Sequence, residues 1–283
     1  MPETRVLRRI ADELSRASGE GLGPDEATAL WSAVSGMKPA EVWLMREREP
    51  APDVVKRFRQ AVEQRKQGVP FAYAAGRVGF RTLDLAIDPR ALIPRPETEG
   101  LVELVLQRVR GGRAADIGTG CGCIALALAV EGEFERVVAV ERSSAAAALA
   151  RENVQRIAPA TPVEVREGNL LAPLVENGER GAYRVIVANP PYLTEREYAE
   201  LDASVREYEP REALVSGSSG LDATRALYAG AAPLLERGGL LALEIDERRA
   251  DAVRELGRDY NWAVTIHNDL FGYARYALST KED

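Results

Sequence analysis

Two short segments carry residue types whose spacing suits chemistry. The first is Asn189-Pro190-Pro191-Tyr192, which follows the apolar run Val185-Ile186-Val187-Ala188. A planar NH2 nitrogen is a poor nucleophile, because its lone pair is delocalised by the resonance that also flattens the peptide bond. A site helps by accepting both N–H bonds and aiming the nitrogen at an electrophile. Asn189 supplies a side-chain carbonyl acceptor, and the main-chain carbonyl of Pro190 a second. Pro190 and Pro191 bring no competing N–H and hold φ near −65°. Tyr192 offers a flat face to a planar group. Such a site works by proximity and orientation. It needs no strong base, since an N-alkylated amide cation sheds its proton readily. The bland alternative is a proline-stiffened turn, which the second segment argues against.

That second segment is Asp116-Ile117-Gly118-Thr119-Gly120-Cys121-Gly122, between a predicted strand and a predicted helix. Its glycines let backbone approach a ligand closely, and helix-start N–H groups face polar atoms. Dinucleotide proteins use G-x-G-x-x-G, and here the last position is Cys123. Asp116, just before the glycines, suits an amino group better than a pyrophosphate. Glu141 ends the next predicted strand, where an acid accepts from ribose hydroxyls. An ammonium plus a ribose describes S-adenosylmethionine. An ordinary glycine-rich turn is the competing reading.

Other chemistries are excluded by what is scarce. His267 is the one histidine, and neither G-x-S-x-G nor G-K-[ST] occurs, so serine-hydrolase and P-loop chemistry are out. Cys121 and Cys123 are the two cysteines. They cannot complete a four-ligand zinc site or a disulfide framework, and no metal is expected. Met1 to Arg5 precedes no apolar stretch, and Ile124–Val130 is the longest clearly apolar run. Neither a signal peptide nor a membrane span is expected, and the cytoplasm is the default location.

The elements that must position these residues follow from periodicity. Residues 1–75 read as a small helical bundle. Val6, Leu7, Ile10 and Leu14 sit at helical spacing, Pro24 and Pro39 open two further helices, and residues 54–67 form a fourth. Residues 76–96 read as a β-hairpin linker, with Leu83, Leu85 and Ile87 alternating against polar neighbours. From 97 to 283 strands are predicted at 113–116, 136–141, 162–167, 183–188 and 240–245. Glu97 or Thr98 opens a helix through Leu101, Val102, Leu104 and Val105, and further helices are predicted at 123–130, 143–157 and 224–235. That alternation is the sign of a doubly wound, mainly parallel sheet. Strand-like runs at 262–267 and 273–279 predict an antiparallel hairpin on its edge.

The chain has 283 residues and a formal charge of −7. The first 75 residues hold 12 Lys+Arg against 11 Asp+Glu, a net +1, so the remainder carries −8. A nucleic-acid binder needs a basic face to neutralise phosphates, so stable nucleic-acid binding is not expected. Arg57, Arg59, Arg65 and Lys66 could contact a partner or form a solvated helix face.

Taken together the chain resembles the protein-(glutamine-N5) methyltransferases that modify peptide chain release factors, the HemK/PrmC family. The markers are Leu92-Ile93-Pro94-Arg95-Pro96-Glu97-Thr98-Glu99, Asp116–Gly120, Asn189–Tyr192, Glu209-Pro210-Arg211-Glu212-Ala213-Leu214 and Gly238–Ile245. The resemblance implies an α/β, Rossmann-like class I S-adenosylmethionine-dependent methyltransferase domain, with a mainly parallel sheet and a C-terminal antiparallel hairpin, behind a helical substrate-recognition bundle. It implies that Asp116, Ile117, Gly118, Thr119, Gly120 and Glu141 hold S-adenosylmethionine, released as S-adenosylhomocysteine. Asn169 and Leu170 would flank the adenine, and Asn189 would touch cofactor and acceptor. The acceptor would be the glutamine of the Gly-Gly-Gln motif of class I release factors. Three positions depart from the family pattern: Asp246 replaces a glycine, and Glu141 and Asn169 each replace an aspartate.

Three alternatives stand beside this reading. One is a glutamine methyltransferase of a ribosomal protein. Another is a nucleic-acid adenine-N6 methyltransferase, whose acceptor nitrogen is also planar. The third is a binding module without turnover. With no long apolar stripe left over, a monomer is expected.

Overall fold

The computed structural model describes residues 9–281. Their contacts divide the chain into two units, one ending at Val78 and one beginning at Gly79. The predicted helix positions Val6 and Leu7 lie outside the described residues.

The first unit contains α1 (Ile10–Gly19), α2 (Pro24–Ser35), α3 (Pro39–Leu44), α4 (Pro52–Lys66) and α5 (Phe71–Ala75). Proline at the first helical position opens α2, α3 and α4. Its missing N–H costs nothing there, because that donor has no intrahelical partner. The apolar faces of α2 and α4 meet in a core around Leu30, Trp31, Phe58 and Val62. Trp31 and Phe58 pack edge to face at 4.8 Å. The helix α5 was not expected from the sequence; its five residues are too few to show a period.

The chain leaves this unit along β1 (Arg77–Phe80), which forms a two-stranded sheet with β2 (Leu83–Ala86). Arg81, between the strands, takes φ 51°. That is uncommon for a residue with a Cβ and must be held from outside. The Glu99 side chain accepts from its N–H at 2.9 Å, and its guanidinium donates to Glu131 and Glu103.

The second unit continues with α6 (Pro96–Arg108), β3 (Arg113–Ile117), α7 (Cys123–Glu131), β4 (Arg136–Glu141), α8 (Ser144–Ile157) and β5 (Val163–Glu167). Then come α9 (Ala172–Glu176), β6 (Tyr183–Ala188), α10 (Glu195–Ala199), α11 (Ala203–Tyr208), α12 (Asp222–Gly230), β7 (Leu235–Glu244), α13 (Ala250–Asp259), β8 (Trp262–Asn268) and β9 (Ala274–Lys281). Seven strands form one sheet in the order β5-β4-β3-β6-β7-β9-β8. The first five are parallel, and β9 runs antiparallel between β7 and β8. The predicted parallel sheet with an edge hairpin is therefore present.

Burial explains the apolar runs. In β3, β4 and β6 the segments Ala114–Ile117, Val137–Val140 and Val185–Ala188 are buried throughout, as strands covered on both faces must be. Helix α7 is buried on every side from Cys123 to Ala129, which is why its sequence lacks a polar stripe.

Two element readings are corrected. The helix predicted over 224–235 ends at Gly230, and Leu235 already begins β7. Gly230 and Pro233 both disfavour a longer helix. The helices α9, α10, α11 and α13 were not anticipated.

Candidate active site

Strand order reverses between β3 and β6, and their neighbours feed loops to one edge of the sheet. In open α/β sheets ligands bind at this switch point, beyond the carboxyl ends of the strands. A cavity of about 390 Å³ lies there, walled by the loops after β3, β4, β5 and β6 and by segments 90–98 and 210–223.

The loop after β3 is shaped by glycines. Gly118, Gly120 and Gly122 all have positive φ. Gly118 and Thr119 donate their N–H groups to Val140 O, at 2.8 and 3.0 Å, binding this loop to β4. Glu141 lines the cavity at the end of β4. Its two oxygens accept from the backbone N–H groups of Gly120 and Ser143, each at 2.9 Å. A carboxylate has about four acceptor positions, so capacity remains for two hydroxyls. Asn169 and Leu170 border the cavity after β5, with Leu170 at φ 48°.

Asp116 is wholly buried and does not form part of the cavity wall. Its Oδ2 accepts from the Thr119 hydroxyl at 2.5 Å and from Ala125 N–H at 3.0 Å, while Oδ1 has no partner. Burial pushes its pKa up to about 7 against those two donors, with Glu141 adding to the rise. An orphaned carboxylate oxygen beneath a glycine loop fits a cofactor that brings a positive amino group. Ile117 is a core residue rather than a wall residue.

The structure brings Asn189 and Pro191 to the cavity wall; Pro190 is buried and Tyr192 half-buried, outside that wall. Burial and the nearby Glu244 charge push the Tyr192 phenol up to about 12, so it stays neutral at physiological pH. Both halves of this loop are pinned. Tyr192 and Leu193 donate backbone N–H groups to Leu214 O, and Ser216 N–H returns to Leu193 O at 2.8 Å. This joins Asn189–Tyr192 to the segment that follows Glu209–Leu214. Gly220 is obligatory here: its φ is +74°, and a Cβ would lie 2.3 Å from Tyr192 O.

Several pairings around the cavity carried no sequence signal. Asn189 Nδ2 donates to Thr98 Oγ1 at 3.1 Å, and the Thr98 hydroxyl donates to Glu244 Oε2 at 2.7 Å. Glu209, only 5% exposed, accepts from Ile93 N–H at 3.1 Å and from the Arg95 guanidinium at 2.6 Å. This explains why the two marker segments around residues 95 and 209 occur together: they clasp the cavity rim. Asn153, fully buried, bridges the Ala86 backbone and Cys121 O.

Asp246 now has a physical role. It caps a short 3-10 turn by accepting from Arg248 N–H at 2.9 Å, and pairs with Arg248 and Arg249. Although burial works the other way, those cations hold its carboxyl below the usual range. Arg249 in turn donates to Ser219 O and Glu197 Oε2, supporting the segments beside Gly220 and after Tyr192. The glycine it replaces could make none of these contacts.

The cysteines are both buried and free, and contact with Cys121 together with burial raises the Cys123 thiol. His267 is held below its ordinary value by burial and Arg108 and lies outside the cavity wall.

Comparison with known proteins accords with this geometry. The family model described as the methyltransferase small domain matches residues 97–206, and the PrmC N-terminal domain model matches residues 5–76. The release factor glutamine methyltransferase of Deinococcus radiodurans is 37% identical over 98% of this chain and 97% of its own. That of Moorella thermoacetica is 44% identical over 75% of this chain and 74% of its own. A methyltransferase structure from Pyrococcus furiosus has the same fold, with a TM-score of 0.51, 22% identity, and coverage of 71% of this chain and 89% of that one. Fold and site thus define a Rossmann-like class I methyltransferase domain, preceded along the chain by a helical bundle. Within that class, the chain belongs to the release factor glutamine methyltransferase family, HemK/PrmC.

Proposed function

We propose that this chain transfers a methyl group from S-adenosylmethionine to the side-chain amide nitrogen (N5) of the glutamine in the Gly-Gly-Gln motif of class I peptide chain release factors. The observation that carries the reading is the placement of Asn189 on the cavity wall with its NH2 group spent on Thr98. That leaves its carbonyl oxygen for the acceptor amide. The full-length relatives named for this activity support it.

The cofactor, when bound, supplies a methyl group on a positively charged sulfur and leaves as S-adenosylhomocysteine. The Gly118–Gly120 backbone would hold its amino-acid end with the buried Asp116 carboxylate behind that loop, Glu141 would take the ribose hydroxyls, and Asn169 and Leu170 would flank the adenine. Asn189 and the Pro190 carbonyl accept the two N–H bonds of the glutamine amide and orient its nitrogen. Pro191 and Tyr192 confine the planar group. The proton released from nitrogen needs no dedicated base.

In this reading residues 1–75 recognise the release factor, 76–96 link, and 97–283 catalyse. The chain works as a cytoplasmic monomer without stable nucleic-acid binding. No described helix is long and apolar enough to cross a membrane. The deciding experiment incubates the protein with purified release factor and labelled S-adenosylmethionine. Mass spectrometry should place one methyl on the Gly-Gly-Gln glutamine; label appearing instead on a ribosomal protein or on DNA reassigns the acceptor.

A further inference from the structure

An asparagine side chain has nearly the same shape after a half-turn about its last bond, but that turn exchanges a carbonyl acceptor for an NH2 donor. The proposed reaction needs one of the two orientations. An acceptor amide presents N–H donors, and an NH2 group facing them would set donor against donor. We infer that Thr98 and Glu244 are positioning residues that fix the Asn189 side chain with its carbonyl oxygen toward the acceptor, the direction of the whole hydrogen-bond chain being set by the Glu244 carboxylate. This deepens the proposed function and rests on its planar NH2 acceptor.

The geometry carries the argument. Glu244 ends β7 and is 2% exposed; Thr98, in the first turn of α6, is equally buried. An ionised carboxylate accepts only. The single Thr98 proton therefore goes to Glu244, at 2.7 Å. Its oxygen is then an acceptor, and what faces it at 3.1 Å must donate, so Asn189 turns its NH2 that way. Asn189 also favours the charged form of Glu244, as an NH2 turned toward the carboxylate does. Glu244 and Thr98 sit on a sheet strand and its covering helix, and Asn189 directly follows β6, so all three are held by rigid elements.

If Glu244 took up a proton, its O–H could donate to Thr98, the Thr98 proton could turn to Asn189, and the amide would be free to flip. The groups facing Glu244 are Glu97 on α6, Arg275 and Tyr276 on β9, and Tyr192 beyond β6. Burial and Glu97 favour the proton, while Thr98, Arg275 and Asn189 favour the charge; the balance lies at about 7. Methyl transfer should then fail on the acid side through loss of orientation rather than through protonation of a base.

The test uses the full chain and the variants T98V, T98S and E244Q, with folding checked by circular dichroism. First, the side-chain amide resonances of Asn189 are followed against pH with neither cofactor nor acceptor present. They should titrate near pH 7 in the wild type and lose that titration in E244Q. Second, single-turnover transfer to release factor should fall roughly 10–100-fold in T98V and E244Q, the range carried by outer partners of metal ligands. Cofactor affinity should be unchanged, T98S should restore the rate, and the acid limb of the pH profile should vanish in E244Q. Asn189 resonances indifferent to pH and to E244Q, or T98V with a wild-type rate, overturn the inference. Should T98V not fold, E244Q and T98S decide. A wild-type chain that labels no release factor defeats the proposed function instead, and the Asn189 resonances still decide this inference.

Discussion

At the scale of single residues, the candidate site separates into groups that meet a ligand and groups that arrange them. In the proposed function Asn189 belongs to the first. Replacing it with alanine should lower methyl transfer by roughly 10²–10³-fold, the scale of removing one preorganised polar group from a transition state. Calorimetry should find cofactor binding largely intact; retained turnover would remove Asn189 from the chemistry. Asp116 gives a prediction with a sign. Its folded pKa is raised from 3.8 to about 7. The native state therefore keeps a proton that the unfolded chain gives up. Stability from this group is full below pH 4 and is lost as pH rises toward 7. D116N removes that loss, and should stabilise the cofactor-free chain at pH 8 by about 2–4 kcal/mol while doing little at pH 4. It should also weaken cofactor binding, because Oδ1 no longer bears charge. Equal shifts in melting temperature at both pH values would argue against burial of this charge as the cause. Asn189, Glu141 and the glycine loop were legible in the sequence because each sits at a strand end with a distinctive neighbour. The pairing of Thr98 with Glu244 was not, since it spans 146 positions and exists only in the folded sheet.

Elements were legible in proportion to how local their cause is. The buried strands read as unbroken apolar runs, and α8 shows a helical period with Ser143 as its N-cap. The short helices α10 and α11 owe their existence to caps. Thr194 and Glu197 form a reciprocal capping box, and Asp202 accepts from Ser204 N–H. Both signals stand in the sequence, but without an apolar period they mark a turn as readily as a helix. Helix α13 buries only Val253, Leu256 and Gly257, and Gly257 stands where a Cβ would come 2.2 Å from Val264. Its reason for being a helix is the strand beneath it. The clasp between the segments at 93–95 and 209 is tertiary in the same sense. Glu209→Ala leaves Arg95 and Ile93 N–H without their acceptor, and a broken buried pair of this kind should cost about 2–4 kcal/mol. Since Pro94, Arg95 and Pro210 border the cavity, E209A should also weaken cofactor binding, and E209Q should do so less. Thermal unfolding with a cofactor titration separates the two effects, and undiminished affinity in E209A would detach the clasp from the site.

Across the whole molecule, charge decides between acceptors that local chemistry leaves equal. A glutamine amide and an adenine amine present the same planar NH2 to Asn189, so the motif alone cannot choose. The distribution of charge can. Residues 76–283 carry −8 and the chain −7. Four basic residues of α4 are each paired within the described bundle. Arg59 pairs with the buried Glu13, Arg65 with Glu26, Arg57 with Asp53, and Lys66 with Glu63. Their charge is largely answered within the bundle, which favours the solvated-face reading over a contact with phosphates. A nucleic acid approaching the cavity would meet net repulsion, without the counterion release that drives such binding. Fluorescence anisotropy with labelled single-stranded and duplex DNA should therefore find no saturable binding at physiological salt. Labelled cofactor should place no methyl on adenine under conditions that fully methylate release factor. Saturable, salt-sensitive DNA binding accompanied by adenine methylation would instead show that a local basic surface outweighs the net charge, and would move the acceptor from protein to nucleic acid.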